Sequence, residues 1–454
     1  MREGWRSTRL GEVAKFINGR AYKQNELLDN GPYPVLRVGN FFTNRSWYYS
    51  DLELDATKYC DNGDLLYAWS ASFGPRIWDG GKAIYHYHIW KIEPDPAQID
   101  KRFLFHFLEW DKEKIQEQQG AGTTMVHVTK GSIEKRPIEL PPLPEQQHII
   151  AILDEAFRGL ATATANAEKN LKNAREVFES YLQSIFDQTK PLNLTADNAR
   201  GSTNWQGASK LDDDGSTRTG GRAATTRHIE GMRSLCVGMP KSRARSGWGW
   251  RALESLARME SGHTPSRRHP EYWGGDVPWI GIRDAKAAHG REIFETLEYT
   301  NALGLENSSA RLLPARTVCL SRTASVGYVT VMGRPMATSQ DFVNWVCSDQ
   351  VYPKFLMYLF LAQDDEIFKF SSGAVHQTIY FPEAKAFHIC QPSVKEQHRI
   401  VDVLDALRER TEKLEALYER KIAGLSEMKQ SILQRAFSGE LTSPPSQAIK
   451  EAAE

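Results

Sequence analysis

The sequence predicts an α+β fold: two tandem mixed α/β domains, each followed by a long helix, with the two helices pairing as an antiparallel coiled coil with pseudo-twofold symmetry. Three observations predict it. The chain repeats itself, its first half echoed in its second. The later part of each copy places apolar residues three and four apart over about forty residues, which is helical spacing. The earlier part of each copy holds short strand-like runs broken by Gly and Pro.

The repeat is explicit. Gly4, Trp5, Leu10, Ala14 and Gly19 recur as Gly247, Trp248, Leu253, Ala257 and Gly262. The segment YPVLRVGN (33–40) recurs as VPWIGIRD (277–284), and LLYAWSASFG (65–74) as VCLSRTASVG (318–327). Phe103-Leu104 matches Phe355-Leu356. From Gly122, matched by Gly373, the copies stay in one register: Ile138 with Ile389, Pro141 with Pro392, Ile149 with Ile400, Leu153-Asp154 with Leu404-Asp405, and Phe186 with Phe437. The register slips between residues 40 and 63, so the extra residues of the second copy are expected in a surface loop.

Taken in order, residues 1–140 form the first mixed domain and 141–189 the first long helix. Pro144 and Glu145 suit a helix start, because Pro needs no donor there and a carboxylate complements the helix dipole. Its stripe runs through Ile149, Ile152, Leu153, Ala156, Leu160, Ala163, Ala167, Leu171, Ala174, Phe178, Tyr181 and Ile185. Residues 190–246 are rich in Gly, Ser, Thr, Asp and Arg, with ten Lys or Arg against five Asp or Glu, and are expected to be a flexible linker. Residues 247–392 form the second mixed domain, 393–441 the second long helix, and 442–454 a mobile tail. The second stripe runs through Ile400, Val403, Leu404, Leu407, Leu414, Tyr418, Ile422, Leu425, Ile432 and Ala436, with Thr411 where the first helix has Leu160. A helix of about 60 Å with one apolar stripe needs a partner. The economical partner is the other helix.

Composition narrows the function. The 454 residues leave room for several domains, and 41% hydrophobic with 25% charged residues is ordinary for globular protein. The formal net charge is zero, so basic surface for a polyanion must be local or supplied by partners. Cys60, Cys236, Cys319, Cys347 and Cys390 show neither C-x-x-C pairing nor zinc-finger spacing, which fits a reducing cytoplasm. The N-terminal stretch has no apolar core of a signal peptide, and no run is long enough for a membrane span. There is no phosphate loop, no H-E-x-x-H, no Asn-Pro-Pro-aromatic segment and no nucleophile elbow. No catalytic residue, metal or cofactor is therefore assigned to the chain.

What remains is a set of polar and aromatic clusters in loop-like positions of the mixed domains. In the first domain these are Arg20, Tyr22, Lys23, Arg37, Asn40, Trp69, Arg76, His86, Thr123, Thr124 and His127. In the second they are Arg267, Arg268, Arg283, Arg322, Thr338, Gln340, His376 and Gln377. Arg and Lys can read guanine, Asn and Gln can read adenine, and others hold phosphate and fix register. Matched places differ, Trp69 standing opposite Arg322 and Met125 opposite His376, as two different half-sites would require. These residues are therefore DNA-binding candidates, and the helices would hold the two readers one to two turns of B-DNA apart, at about 34–36 Å each.

The segments LPPLPEQQHIIAILD (140–154), PSVKEQHRIVDVLD (392–405), KQSILQRAFSGEL (429–441), GWRSTRLGEVAKFINGRAY (4–22) and LSRTASVG (320–327) carry a resemblance. The chain resembles the specificity subunits of type I restriction–modification systems. That resemblance implies two target-recognition domains, each reading one half of an asymmetric bipartite site in double-stranded DNA, with the gap set by the helices. It also implies two modification subunits that methylate adenine with S-adenosylmethionine, and two restriction subunits that use ATP and magnesium. By analogy, Glu145, Gln146, Glu396 and Gln397 are candidate docking positions for the modification subunits. The long stretch 190–246 departs from the briefer connection usual in the family. Two rival readings stay open: a self-contained nuclease, and an assembly scaffold that reads no bases.

Overall fold

The computed structural model describes residues 4–43, 46–70, 74–119, 128–190, 192, 223–231, 233–372 and 377–442. The chain divides into two compact units, Met1–Lys169 with Tyr418–Glu454, and Asn170–Leu417. Each unit joins one mixed domain to a part of both long helices.

In the first unit an antiparallel sheet runs Ala14–Asn18, Ile89–Pro94, Leu65–Ala68, Gly74–Ile77 in spatial order. The run LLYA (65–68) is buried throughout. Its alternate residues serve two cores: Leu65 and Tyr67 lie with Phe16, Trp90, Phe103 and Phe107, while Leu66 and Ala68 lie with Leu36, Phe41 and Tyr85. A second sheet runs Tyr48–Ser50, Tyr33–Leu36, Ala83–Tyr85, Tyr59–Cys60, with Tyr33–Leu36 parallel to Ala83–Tyr85. A ribbon of Arg6–Arg9 and Pro137–Leu140 leads into the first long helix, Leu143–Phe186.

The second unit repeats this plan. Ala257–Ser261, Phe342–Cys347, Val318–Ser321 and Val329–Met332 form the equivalent sheet, and Glu298–Thr300, Trp273–Ile280 and Ala337–Thr338 the second one. Trp273–Ile280, here the central strand, again lies parallel to one neighbour, Ala337–Thr338. The extra residues of this copy do more than lengthen a surface loop. Glu292–Ile293 adds a fifth strand, parallel to Val329–Met332.

The reading of 190–246 as a flexible linker fails for its later part. Leu235–Val237 pairs with Phe387–Gln391, and Ile229–Glu230 adds outside it, so the ribbon of Gly249–Ala252 and Phe387–Gln391 becomes four strands. The cause is the triplet Leu235-Cys236-Val237, fully buried within an otherwise polar block. Ser234 Oγ donates to Phe186 O at 2.8 Å, and the Arg245 guanidinium donates to the carbonyls of Ile185, Asp187 and Lys190. The Ile185 carbonyl lies in the last turn of the first long helix and the other two just past its end, where a cation is the favoured cap.

Both long helices have 44 residues, Leu143–Phe186 and Val394–Phe437. In the first unit Ile149, Ile150 and Leu153 share a core with Leu433, Ala436 and Phe437, and Lys429 Nζ sits 5.4 Å from the centre of the Phe157 ring. In the second, Leu182, Ile185 and Phe186 share a core with Ile400, Val401 and Leu404, and Arg175 pairs with Glu415 at 3.1 Å. Within each unit the start of one helix meets the end of the other, so the pairing is antiparallel. One stripe residue is corrected. Leu414 is 43% exposed, because the repeat steps from buried Thr411 to Glu415, leaving Leu414 on the flank.

Candidate nucleic-acid interface

Within the first unit, the end of strand Leu65–Ala68 meets the loop after Ala83–Tyr85. Trp69 N–H donates to His88 O at 3.0 Å, Val128 N–H donates to Trp69 O at 3.3 Å, and Trp69 Nε1 donates to Tyr87 O at 2.8 Å. Trp69 also stacks on Trp90, with centroids 5.9 Å apart, and meets His88 edge-on at 4.9 Å. Tyr22 stacks on His86 at 6.3 Å, and Arg20 lies beside them, its N–H bonded to Tyr85 O. Burial, with His88 and Arg37 nearby, pushes His86 down to about 4, so its ring is neutral near pH 7. The result is a face of aromatic and imidazole rings.

The second unit builds the same frame with other side chains. Arg322 N–H donates to Asp341 O at 2.7 Å and Ile379 N–H donates to Arg322 O at 2.8 Å, repeating the pattern around Trp69. The Arg322 guanidinium lies 4.3 Å from the centre of the Phe381 ring and donates to Gln340 O at 3.0 Å. Gln340 Oε1 accepts from Thr264, and Trp279 Nε1 donates to His263 O at 3.2 Å. Arg267 spans Trp273 and Trp279 at 4.1 and 5.2 Å, so the loops carrying Arg267, Arg322 and Gln340 converge.

The repeated glycine explains how the frame closes. A Cβ on Gly19 would lie 2.3 Å from His86 O, and one on Gly262 would lie 1.9 Å from Ser339 O. Only glycine allows the first strand of each sheet to approach that loop so closely.

Several candidates prove to be structural. Asn40 is buried; its Oδ1 accepts from Arg37 N–H and its Nδ2 donates to Ser46 O. Thr338 is buried and accepts from Asn344 Nδ2 at 2.8 Å. Neither reaches a base edge, because each side chain holds its own loop. Arg76 donates to Phe41 O and Asp79, and lines a separate cavity of about 460 Å³ with Trp47, Tyr49 and Trp78. Arg20 is bidentate to Glu26 at 2.7 and 3.0 Å, and Arg267 is bidentate to Glu298. Lys23, Arg37, Arg268, Arg283 and Gln377 are exposed. Thr123, Thr124, His127 and His376 lie outside the described residues.

The proposed docking positions divide in two. Gln146 and Gln397 are fully buried and cannot meet a partner. Gln146 Oε1 accepts from Asp100 N–H at 2.8 Å, and its Nε2 donates to Gln98 O and Pro141 O at 2.9 and 2.8 Å. Gln397 repeats the arrangement with Tyr352 N–H and Pro392 O at 2.8 and 3.1 Å. The paired glutamines therefore lock each domain to its own helix. Glu145 and Glu396 are half-buried, Glu145 accepting from Thr442 Oγ1 at 2.8 Å and Glu396 lying 3.7 Å from Arg399.

A second lock joins each domain to its helix. Asp154 pairs with Arg102 at 2.6 Å and reaches His106 at 3.4 Å, while Asp405 pairs with Lys354 at 2.9 Å and accepts from Tyr358. The matched Leu-Asp dipeptides of the repeat were the signal that could have found it. Among the described residues, no group of three or more His, Cys, Asp or Glu could hold a metal ion, and no helix is long and apolar enough to cross a membrane.

These features define a tandem-repeat protein that offers one backbone frame twice, with different side chains on it, each frame locked to long paired helices. The family model for the type I restriction modification DNA specificity domain matches residues 2–173 and 245–421. The chain belongs to that family. It is 23% identical over 397 residues to the HindI type I restriction enzyme specificity subunit of Haemophilus influenzae, covering 79% of this chain and 82% of that protein. It is 22% identical over 459 residues to the EcoBI specificity subunit of Escherichia coli, covering 97% and 87%. The MjaIX specificity subunit of Methanocaldococcus jannaschii is 29% identical over 178 residues, a match spanning 38% of this chain and 41% of that protein. A chain from a structure on complex assembly and conformational transition of the type I R-M system aligns with a TM-score of 0.69 at 17% identity, covering 96% of this chain and 98% of its own. The HsdS subunit from Thermoanaerobacter tengcongensis gives 0.51 at 17% identity, covering 97% and 98%. At such identity the likeness concerns the fold.

Proposed function

We propose that this chain is the non-catalytic, sequence-reading subunit of a type I restriction–modification complex in the cytoplasm. Each unit reads one half of an asymmetric bipartite site in double-stranded DNA, and the paired helices set the gap. Two modification subunits methylate adenine with S-adenosylmethionine, and two restriction subunits act with ATP and magnesium. The observation that carries the reading is the pair of equivalent strand ends, Trp69 and Arg322, held by the same backbone bonds and chemically unlike. A shared frame with different side chains suits two half-sites read by one mechanism.

The test is methylome mapping in a host that expresses the chain with its modification subunit. One two-part motif of fixed gap is expected, and replacing residues 1–140 by another reader should change one half only. Methylation with no shared motif would leave a scaffold, and cutting of plasmid by the purified chain with magnesium alone would make it a nuclease.

A further inference from the structure

We infer that Arg322 is the specificity-determining residue of the second unit, reading a guanine in the major groove of its half-site. The inference rests on the proposed function and adds a residue and a base to it.

The argument begins with how the candidate arginines are occupied. Arg20 and Arg267 each give both terminal nitrogens to one carboxylate, and Arg76 is divided between Asp79 and the Phe41 carbonyl. A guanidinium so neutralised has little left for a base edge. Arg322 has no carboxylate partner among the described residues; its side chain is fixed by the Phe381 ring and by one bond from Nη2 to Gln340 O. Its Nε is buried with no hydrogen-bond partner among those residues. Burial holds the group below its ordinary value, with Asp341 and Tyr380 only partly opposing. The cation is thus half-buried, oriented and short of acceptors.

Orientation separates Arg322 from the exposed arginines. Arg37 is exposed and rests on the Tyr48 ring at 5.3 Å. Arg322 is held on a ring face and by a backbone carbonyl, so less side-chain freedom is lost when it binds. Its fork matches two acceptors in one plane, which guanine O6 and N7 provide. At the equivalent place in the first unit Trp69 has already given its N–H to Tyr87 O, leaving only an apolar surface. The two half-sites therefore differ in kind here: a guanine opposite Arg322, and no hydrogen-bonded base opposite Trp69.

A phosphate oxygen is the other acceptor a guanidinium fork takes, and the test separates the two. The chain carrying R322A or R322K is co-expressed with its modification subunit, and methylated motifs are mapped. In parallel, binding of the complex to duplexes with each base pair at each half-site position is measured across a salt series. The expected result is a fixed G·C pair in one half of the wild-type motif. In R322A that position relaxes, with discrimination falling about tenfold or more, while the other half and the gap stay unchanged. R322K, which keeps the charge and loses the fork, relaxes the same position, and it decides the matter if R322A fails to assemble. An unchanged motif in the variants overturns the inference. So does a uniform loss of affinity with a salt slope shallower by about one, which marks a phosphate contact. A wild-type methylome with no two-part motif would sink the underlying function instead.

Discussion

Replacing Gln146 by alanine separates a structural lock from a docking contact. The side chain is fully buried and makes three bonds, at 2.8, 2.9 and 2.8 Å. Truncation leaves the Asp100 N–H without its acceptor and two carbonyls without a donor. An orphaned buried donor costs about 1–3 kcal/mol, and each lost bond about 0.5–1.5 kcal/mol. These losses share one side chain and do not simply add, so about 3 kcal/mol is expected. Gln397→Ala should cost less, about 2 kcal/mol, because of its amide's contacts at 3.1, 3.3 and 3.4 Å two lie beyond the best range. Urea unfolding of the full chain, followed by tryptophan fluorescence, gives both numbers. At an m-value of about 3 kcal/mol/M the Gln146→Ala midpoint should fall by about 1 M. Binding of the modification subunit, corrected for the folded fraction, should be unchanged. An unchanged midpoint together with weakened binding would refute the reasoning and restore Gln146 as a docking residue.

Two further outcomes follow from the frame. Gly262→Ala puts a methyl 1.9 Å from Ser339 O and 2.2 Å from Thr338 Oγ1, so the second unit should lose about 2–3 kcal/mol or more in urea unfolding, and methylation mapping should show the second half-site blurred first. His86 is depressed in the folded chain to about 4, against about 6.5 when unfolded. The stability this contributes is therefore complete above about 6.5 and lost as pH falls through 4, because the unfolded chain binds the proton first. Between pH 7 and 4 the wild type should lose about 2–3 kcal/mol more than His86→Gln, and parallel slopes for the two proteins would rule out His86 as the cause.

The architecture was legible because it was written twice. Matched Leu, Ile and Phe positions define a repeat that no single copy would reveal, and stepping by threes and fours places both long helices. Individual side chains were less legible for a physical reason. Gln146 and Gln397 sit in closely matched segments of the repeat, and the family resemblance points them at a shared partner. The shared requirement is internal, since an amide can satisfy a donor and carbonyls at once where the chain turns into the helix. Asn40 and Thr338 are polar and near loops, as a base reader must be, yet their short side chains bond their own neighbourhood instead. The ion pairs that occupy Arg20 and Arg267 join residues with unremarkable spacing, and only the folded loops bring the carboxylates to them. The strand Leu235–Val237 was hidden by averaging composition over a long polar stretch; three consecutive apolar residues were the local signal.

The first unit takes its last residues from the far end of the chain: Leu433, Ala436 and Phe437 lie in the same core as Trp5, Phe103 and Phe107. During synthesis, therefore, the domain made first cannot complete its interior until the final helix has left the ribosome. The second unit, assembled from Asn170 to Leu417, has no such wait. A premature stop shortly after Leu417 would then injure the domain encoded farthest from it and spare the nearer one. For the same reason, a fusion or tag that strains Phe437 is felt at Phe103, Phe107 and Trp110, whose rings it meets.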